Sequence, residues 1–174
     1  MRVWLALALI LPFSVWAQMR NFDAAFDDDS GWAEVQSQLP PYPKQQDYLP
    51  FHVSATAAFD FSVDAKSVSV GADGAVRYTL IAKSPGGTLN VSFEGIRCSD
   101  RQYRVYAFGR TDGTWSRARG SRWEPLAPNP RIAQRLVLHK DYFCLDGGIV
   151  PNSAAALDRL KYGGKLAPQS VLSP

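Results

Sequence analysis

The 174-residue sequence is poor in the residue types that most often build metal and redox sites. It has two cysteines, Cys98 and Cys144, and two histidines, His52 and His139. The cysteines lack the C-x-x-C spacing of a redox-active pair, and so few scattered ligands do not suggest a metal centre. The sequence therefore predicts neither a metal nor a cofactor.

Motifs of the common catalytic classes are also missing. There is no G-x-S-x-G, no H-E-x-x-H, no phosphate-binding glycine loop and no dinucleotide fingerprint. His139 falls on the apolar side of a predicted helix, where a structural histidine is commoner than a catalytic one. A carboxylate pair such as Glu94 and Asp100 could still act as acid and base. A carboxylate-based hydrolase acting on envelope material therefore stays open as an alternative.

Only one long apolar run is present, at the N-terminus. Met1 and Arg2 precede the apolar residues 3–13, and Val15 and Ala17 occupy the −3 and −1 positions before Gln18. This pattern predicts a secretory signal peptide over residues 1–17, because the run is shorter than the roughly 20 residues that span a bilayer. A retained interfacial anchor is the alternative. We expect a mature chain without a transmembrane segment, in the periplasm or cell envelope, where nucleic acid is not an expected partner.

Export has a consequence for the two cysteines. In an oxidising compartment two thiols normally pair, which predicts a disulfide between Cys98 and Cys144. The bridge would close a loop of 47 residues, counting from 98 through 144. Loop-closure entropy makes such a bridge worth about 4 kcal/mol.

Charge is distributed unevenly along the chain. Residues 18–64 hold two basic and eight acidic residues, a net charge of −6, whereas residues 94–140 hold ten basic and four acidic residues, a net charge of +6. Residues 18–50 are acidic and then proline-rich, and we interpret them as an extended arm. Because apolar residues such as Trp32, Leu39 and Tyr42 are scattered through it, we expect the part from Trp32 onward to lie against a single domain over residues 51–174. The acidic part before Trp32 is expected near the arginines.

The domain itself is predicted to be α+β. From residue 52 to about 116, alternating apolar residues and turns such as Asp73-Gly74 and Gly86-Gly87 predict an antiparallel meander of about five strands. Asn129-Pro130 then predicts a helix start, with Ile132, Leu136, His139 and Phe143 on one face. A second short helix is predicted over 154–162, capped by Ser153. Helices that follow a run of strands indicate a sheet with one face covered by helices.

Residues 90–115 are the most distinctive stretch of the sequence. They contain Glu94-Gly95-Ile96-Arg97-Cys98, Tyr106-Ala107 and Asp112-Gly113-x-Trp115, and HKDYFC follows at 139–144. With the upstream segments from Trp32 onward, these motifs resemble the cryptic neisserial protein family of exported Gram-negative proteins. The resemblance covers roughly residues 32–145 and implies an envelope location and a domain without an assigned activity.

The same stretch also contains a candidate binding patch. Glu94 and Arg97 are predicted to lie one strand away from Arg101 and Arg104, with Tyr106 and Arg110 further along the chain. A three-residue turn over residues 99–101 would set Glu94 opposite Tyr106, with Arg104 diagonal to it. Arginine and aromatic side chains suit ligands with carboxylate or phosphate groups, such as an anionic envelope component or another envelope protein. Pairing of these arginines with the protein's own carboxylates is the competing interpretation. The leading functional hypothesis is a non-catalytic binding or assembly factor, with a structural surface component as a further alternative.

Overall fold

The computed structural model describes residues 32–145 and 148–165. The predicted signal peptide and the acidic residues of the arm before Trp32 lie outside the described residues. By its internal contacts the chain divides into residues 1–32 and residues 33–174, and everything below concerns the second unit.

Ten strands are found in the described part of the chain. They are β1 (Tyr48–Phe51), β2 (Asp60–Asp64), β3 (Ser69–Val70), β4 (Ala75–Lys83), β5 (Leu89–Arg97), β6 (Gln102–Gly109), β7 (Trp115–Arg117), β8 (Glu124–Pro125), β9 (Cys144–Leu145) and β10 (Gly148–Ile149). Strands β1–β8 form one sheet in the order β1-β2-β4-β5-β6-β7, with β3 paired to β4 and β8 paired to β6. All pairings are antiparallel, as the sequence predicts.

The sequence signals for turns mark the hairpins correctly. Gly74, between β3 and β4, and Gly87, between β4 and β5, have positive φ values of 75° and 85°. Glycine takes such a conformation without the steric cost that a side chain brings. The sheet has more strands than the five predicted because β1 begins in the proline-rich segment that was assigned to the arm, and β7 and β8 are too short to show alternation.

Helices cover one side of the sheet, which we call the helix face. A short 3-10 turn at Pro130–Ile132 leads into α1 (Ala133–Val137), which continues as a π-helix over Leu138–Phe143. A second helix, α2, spans Ser153–Lys161. Between these helices and the sheet lies a core of apolar side chains, the largest of which include Tyr78, Leu80, Ile96, Leu138, Tyr142 and Phe143. The α+β class is confirmed.

The helices are close to the prediction, with two differences: the cap of α2 and the buried face of the first helical segment. The Asn129 side chain accepts a hydrogen bond from the Arg131 amide, as an N-cap does. The cap of α2 is Asn152, whose side chain accepts from the Ala155 amide at 2.9 Å, and not Ser153. In the first helical segment the buried residues are Gln134, Leu138, Tyr142 and Phe143, whereas Ile132, Leu136 and His139 of the predicted face are half-buried.

The predicted disulfide is present. Cys98 follows β5 and Cys144 opens β9 directly after the π-helix, and their sulfur atoms are bonded with the Cα atoms 5.4 Å apart. Both residues are buried in the core. The bridge therefore fixes the end of the helical segment to the end of a central strand.

The register of β5 and β6 differs from the prediction. We expected a three-residue turn that sets Glu94 opposite Tyr106, but Arg97 pairs with Gln102 and Glu94 pairs with Val105. The turn takes four residues because Cys98 leaves the ladder for the core. A β-bulge between Phe93 and Glu94, in which Tyr106 is the extra residue of β6, then restores the predicted register, so that Phe93 pairs with Ala107. Since a one-residue slip exchanges the faces of a strand, Glu94 points to the opposite face from Tyr106 and Arg104.

On the helix face, Glu94 is fully buried and forms an ion pair with the first helix. Arg135 donates two hydrogen bonds of 2.7 Å to the Glu94 carboxylate, and the Ser92 hydroxyl donates a third at 2.6 Å. The Tyr78 hydroxyl lies 3.2 Å from the same carboxylate. Burial and the charge of Glu94 raise the pKa of Tyr78 well above its usual value, which keeps this hydroxyl a donor.

Arg135 is held in its charged form by this arrangement. Burial alone would lower its pKa, but the hydrogen bonds and the charge of Glu94 outweigh burial and raise it. Its guanidinium also lies 4.5 Å from the ring centre of Tyr103. The pair joins helix α1 to the centre of the sheet.

We predict that the disulfide is a main stabilising element. Replacing Cys98 or Cys144 by serine should lower the free energy of unfolding by about 2–5 kcal/mol, and the double replacement should cost little more than either single one. Denaturant titration of the three variants measures this. Two free thiols in the purified native protein, detected by mass spectrometry, would contradict the pairing.

We predict a comparable effect for the buried ion pair. Arg135→Met should destabilise the protein by about 3–5 kcal/mol, because it leaves the Glu94 carboxylate buried without its charged partner. Adding Glu94→Leu should recover part of that loss, since neither charge is then buried. Arg131→Met is the matched control: Arg131 lies four residues before Arg135 and is exposed, and its loss should change stability by less than about 0.5 kcal/mol. Equal losses for Arg131 and Arg135 variants in thermal unfolding would refute this role.

Candidate functional site

The other side of the sheet is crossed by an extended segment, residues 33–44, which we call the strap. It has neither helix nor strand structure. Its amide and carbonyl at Val35 bond to Asp73 and Arg77, and its carbonyl at Pro40 accepts from the Trp115 indole at 2.8 Å. We call this side of the sheet the strap face.

Tyr42 anchors the far end of the strap. Its ring packs 5.4 Å from that of Trp115, and its hydroxyl donates to the carbonyl of Arg110 at 2.9 Å. Gly109 makes this approach possible, because a Cβ at that position would lie 2.9 Å from Tyr42. The strap is thus held mainly by side chains and not by a strand ladder.

The centre of the strap face is a cluster around the Glu34 carboxylate. Tyr106 donates its hydroxyl to Glu34 at 2.6 Å, and the Arg104 guanidinium hydrogen-bonds the other carboxylate oxygen. The Trp123 indole N–H lies 3.3 Å from that second oxygen, and Arg77 lies 3.5 Å from the first. We call Arg77, Arg104, Tyr106 and Trp123 the carboxylate receptor. Three hydrogen-bond donors and a further guanidinium, from three separate parts of the domain, converge on one carboxylate.

The two arginines of the receptor are fixed by contacts that do not involve Glu34. Arg104 donates to the side chain and the carbonyl of Ser121 at 3.0 and 2.9 Å. Arg77 donates two hydrogen bonds of 2.5 and 3.1 Å to Asp73. Burial would raise the pKa of Asp73, but the bonds from Arg77 and the strap outweigh it and lower that pKa. The Asp73–Arg77 pair is therefore charged on both sides.

The aromatic members of the receptor are equally constrained. Tyr106 packs against Phe93 at 5.4 Å and edge-on to Trp123 at 6.3 Å, with Arg77 and Arg104 at 5.8 and 5.3 Å from its ring centre. Gly95 lies beneath, where a Cβ would lie 2.9 Å from the Tyr106 hydroxyl. Burial and the bond to Glu34 raise the pKa of Tyr106, so its hydroxyl remains a donor.

The six predicted patch residues do not form one surface. Arg104 and Tyr106 belong to the receptor, and Arg97 is next to it, with its guanidinium 5.6 Å from the Trp123 ring centre. Arg97 also pairs with Asp100 and donates to Gln102 at 2.7 Å. Glu94 is on the helix face for the register reason given above.

The remaining two patch residues lie in turns. Arg101 has a positive φ of 52° in the β5–β6 turn, and its side chain is exposed. Arg110 is exposed after β6 and lies 3.3 Å from the Ser116 hydroxyl. The acidic residues before Trp32, expected near these arginines, lie outside the described residues.

The proposed acid–base pair also separates. Glu94 is buried beneath the helices, whereas Asp100 is exposed in the turn and paired with Arg97. The two carboxylates therefore share no cavity. Among residues 32–145 and 148–165, no group of three or more metal-ligating side chains is found, and none of the helices there is long and apolar enough to cross a membrane.

A loop rich in arginine borders the strap face. It begins at the last residue of β7, leads towards β8 and carries Arg117, Arg119 and Arg122, all exposed. No carboxylate of the described residues forms a salt bridge with any of the three. We call residues 117–122 the arginine loop.

A cleft lies between the strap and the arginine loop. It has a volume of about 330 Å³ and is lined by polar groups that include Glu34, Gln36, Ser37, Arg104, Arg117 and Ser121. Arg104 is its innermost cation, with 27% of its side chain exposed. The cleft therefore presents guanidinium and hydroxyl donors to a solute.

Sequence reasoning missed four residues of the two charged clusters: Glu34, Asp73, Arg77 and Arg135. Arg77 could have been found, because a charged residue in an otherwise buried strand indicates that it has a partner. Strand β4 is buried from Ala75 through Ile81. Asp73 was assigned only a turn role from its Asp-Gly pair. Glu34 and Arg135 bond to residues 70 and 41 positions away, so no local pattern indicates them.

Comparison with known proteins places the chain in a family. The model of the CNP1-like family matches residues 27–161. Cryptic neisserial protein 1 of Neisseria gonorrhoeae (strain ATCC 700825 / FA 1090) is 27% identical over 153 residues, covering 78% of this chain and 74% of that protein. No solved structure matches the chain. The match to the family model covers both charged clusters and the disulfide, and the chain belongs to the CNP1-like family.

Proposed function

We propose that the protein is exported to the cell envelope and acts there as a non-catalytic binding or assembly factor. The arginine loop binds a phosphate-bearing surface or component of the envelope. One observation carries this: three exposed arginines lie on a six-residue loop without a carboxylate partner among the described residues. Arg77, Arg104 and Arg135 have such partners, whereas the exposed Arg101, Arg110 and Arg131 also lack one there but lie at separate places in the chain.

The chemistry of the loop supports an anionic partner. Guanidinium groups bind phosphate and carboxylate through paired hydrogen bonds, and exposed ones keep their donors free for a ligand. The Ser37 hydroxyl, in the lining of the adjacent cleft, adds a hydrogen-bond donor to this surface. An export signal at residues 1–17 and the family membership favour an envelope component as the partner.

Vesicle binding tests the arginine loop. The triple variant Arg117→Ser, Arg119→Ser, Arg122→Ser should bind phosphatidylglycerol-containing vesicles about 100-fold more weakly at low salt, since each Arg near an anionic surface adds about 1 kcal/mol. The matched control replaces three exposed cations elsewhere by serine: Arg131, Lys140 and Lys165. It removes the same net charge and should retain most of the binding.

Two outcomes would contradict the proposal. Equal losses in both triple variants would show that only net charge matters. No retention of the unmodified protein on anionic vesicles, measured by co-sedimentation, would show that this surface is not its partner.

The location is tested separately. We expect Edman sequencing of protein released by mild osmotic shock to begin at Gln18, since cleavage is predicted after Ala17. Recovery of Met1 only from a detergent-extracted membrane fraction would refute release into the periplasm.

A further inference from the structure

The strap contacts the sheet in the way that an extended peptide ligand contacts a receptor. Its main chain is hydrogen-bonded at Val35, where the amide donates to Asp73 at 2.8 Å and the carbonyl accepts from Arg77 at 3.1 Å. Trp115 donates to the Pro40 carbonyl further along. These contacts are made to main-chain groups of the strap and not to its side chains, so a peptide of a different sequence can also make them.

The side chains of the carboxylate receptor are also held by contacts that do not involve Glu34. Ser121 holds Arg104, Asp73 holds Arg77, and Phe93 and Gly95 define the position of Tyr106. Preorganised donors favour binding because little conformational freedom is lost when the ligand arrives. A charged carboxylate with bonds from several such donors is the kind of group that this site selects.

We propose that Arg77, Arg104, Tyr106 and Trp123 form a binding site for the carboxylate of an extended acidic peptide, and that Glu34 occupies this site as an internal ligand. The peptide replaces the strap on the sheet and uses the main-chain contacts of Asp73, Arg77 and Trp115. This inference concerns a different set of residues from the arginine loop and does not depend on the proposed function.

A peptide fits the site better than a small organic acid. A small acid would replace only the Glu34 carboxylate and could make none of the main-chain contacts with Asp73, Arg77 and Trp115. An extended peptide can bind the carboxylate receptor and make the main-chain contacts at the same time. The cleft of about 330 Å³ beside Glu34 gives room for a side chain of this peptide. The strap itself supplies a probe of the right shape, the peptide AEVQSQLPPYP of residues 33–43.

The internal ligand controls access by competition. A segment tethered by a short linker presents its carboxylate at an effective concentration of about a millimolar. A free peptide at micromolar concentration therefore cannot displace it from the unmodified protein. Removing the Glu34 charge weakens the competitor while leaving the receptor side chains in place.

Fluorescence anisotropy on the full mature chain tests the proposal. Glu34→Gln should bind the labelled peptide at least about tenfold more tightly than the unmodified protein. The reason is that a hydrogen bond to a charged group contributes about tenfold in affinity, which the internal ligand loses in this variant. The same peptide with glutamine in place of its glutamate should lose that gain. Glu124→Gln is the matched control, since Glu124 is another carboxylate that accepts a tyrosine hydroxyl but lies outside the receptor. Its peptide affinity should equal that of the unmodified protein.

A second measurement covers the case in which Glu34→Gln does not fold normally. In Glu34→Ala, acetate should raise the melting temperature relative to chloride at equal ionic strength, and adding Arg104→Gln should abolish the rise. Equal binding of the Glu and Gln peptides, or no binding to Glu34→Gln up to millimolar peptide with no acetate effect, would overturn the proposal. If the arginine-loop variant loses vesicle binding but its peptide binding is unchanged, the carboxylate receptor acts independently of the surface in the proposed function.

Discussion

The central strands β4 and β5 are covered on both faces, and this constraint governs the charged residues that they carry. Arg77 and Glu94 lie on adjacent strands, point to opposite faces and are almost or completely buried. An unpaired charge in such a position costs several kcal/mol, so each requires a partner from the layer that covers it. Glu94 has Arg135 from the first helix. Arg77 has Asp73 from a turn and Glu34 from the strap, which means that both covering layers are specified by an ion pair as well as by apolar contact.

The parts of the fold that depend on nearby residues could be predicted from the sequence. Turn glycines such as Gly74 determine hairpins within four residues, and Asn129 caps its helix through a bond to Arg131 only two positions away. The disulfide could be predicted for a different reason, since two cysteines allow one pairing. Short strands such as β8 were missed because two residues cannot show alternation.

The candidate site was predicted less well because it depends on register and on distant pairing. One extra residue in the β5–β6 turn moved Glu94 to the other face, and nothing local to the strands indicates that Cys98 belongs to the turn. The opposite net charges of residues 18–64 and 94–140 predict attraction between these two segments. They could not indicate that Glu34, among eight acidic residues, bonds to Arg104.

The arginines of the chain serve different purposes, and burial separates them. Arg77, with 4% of its side chain exposed, and Arg135 compensate buried carboxylates and so belong to the fold. The arginines of the loop are exposed and have no such task among the described residues. Arg104 is intermediate: it is partly exposed in the cleft, anchored by Ser121 and bonded to Glu34. Because the strap has no strand ladder, its position depends on side-chain contacts of this intermediate kind. The strap face is therefore where a ligand can compete with the protein's own chain, whereas the helix face is closed by the disulfide and the Glu94–Arg135 pair.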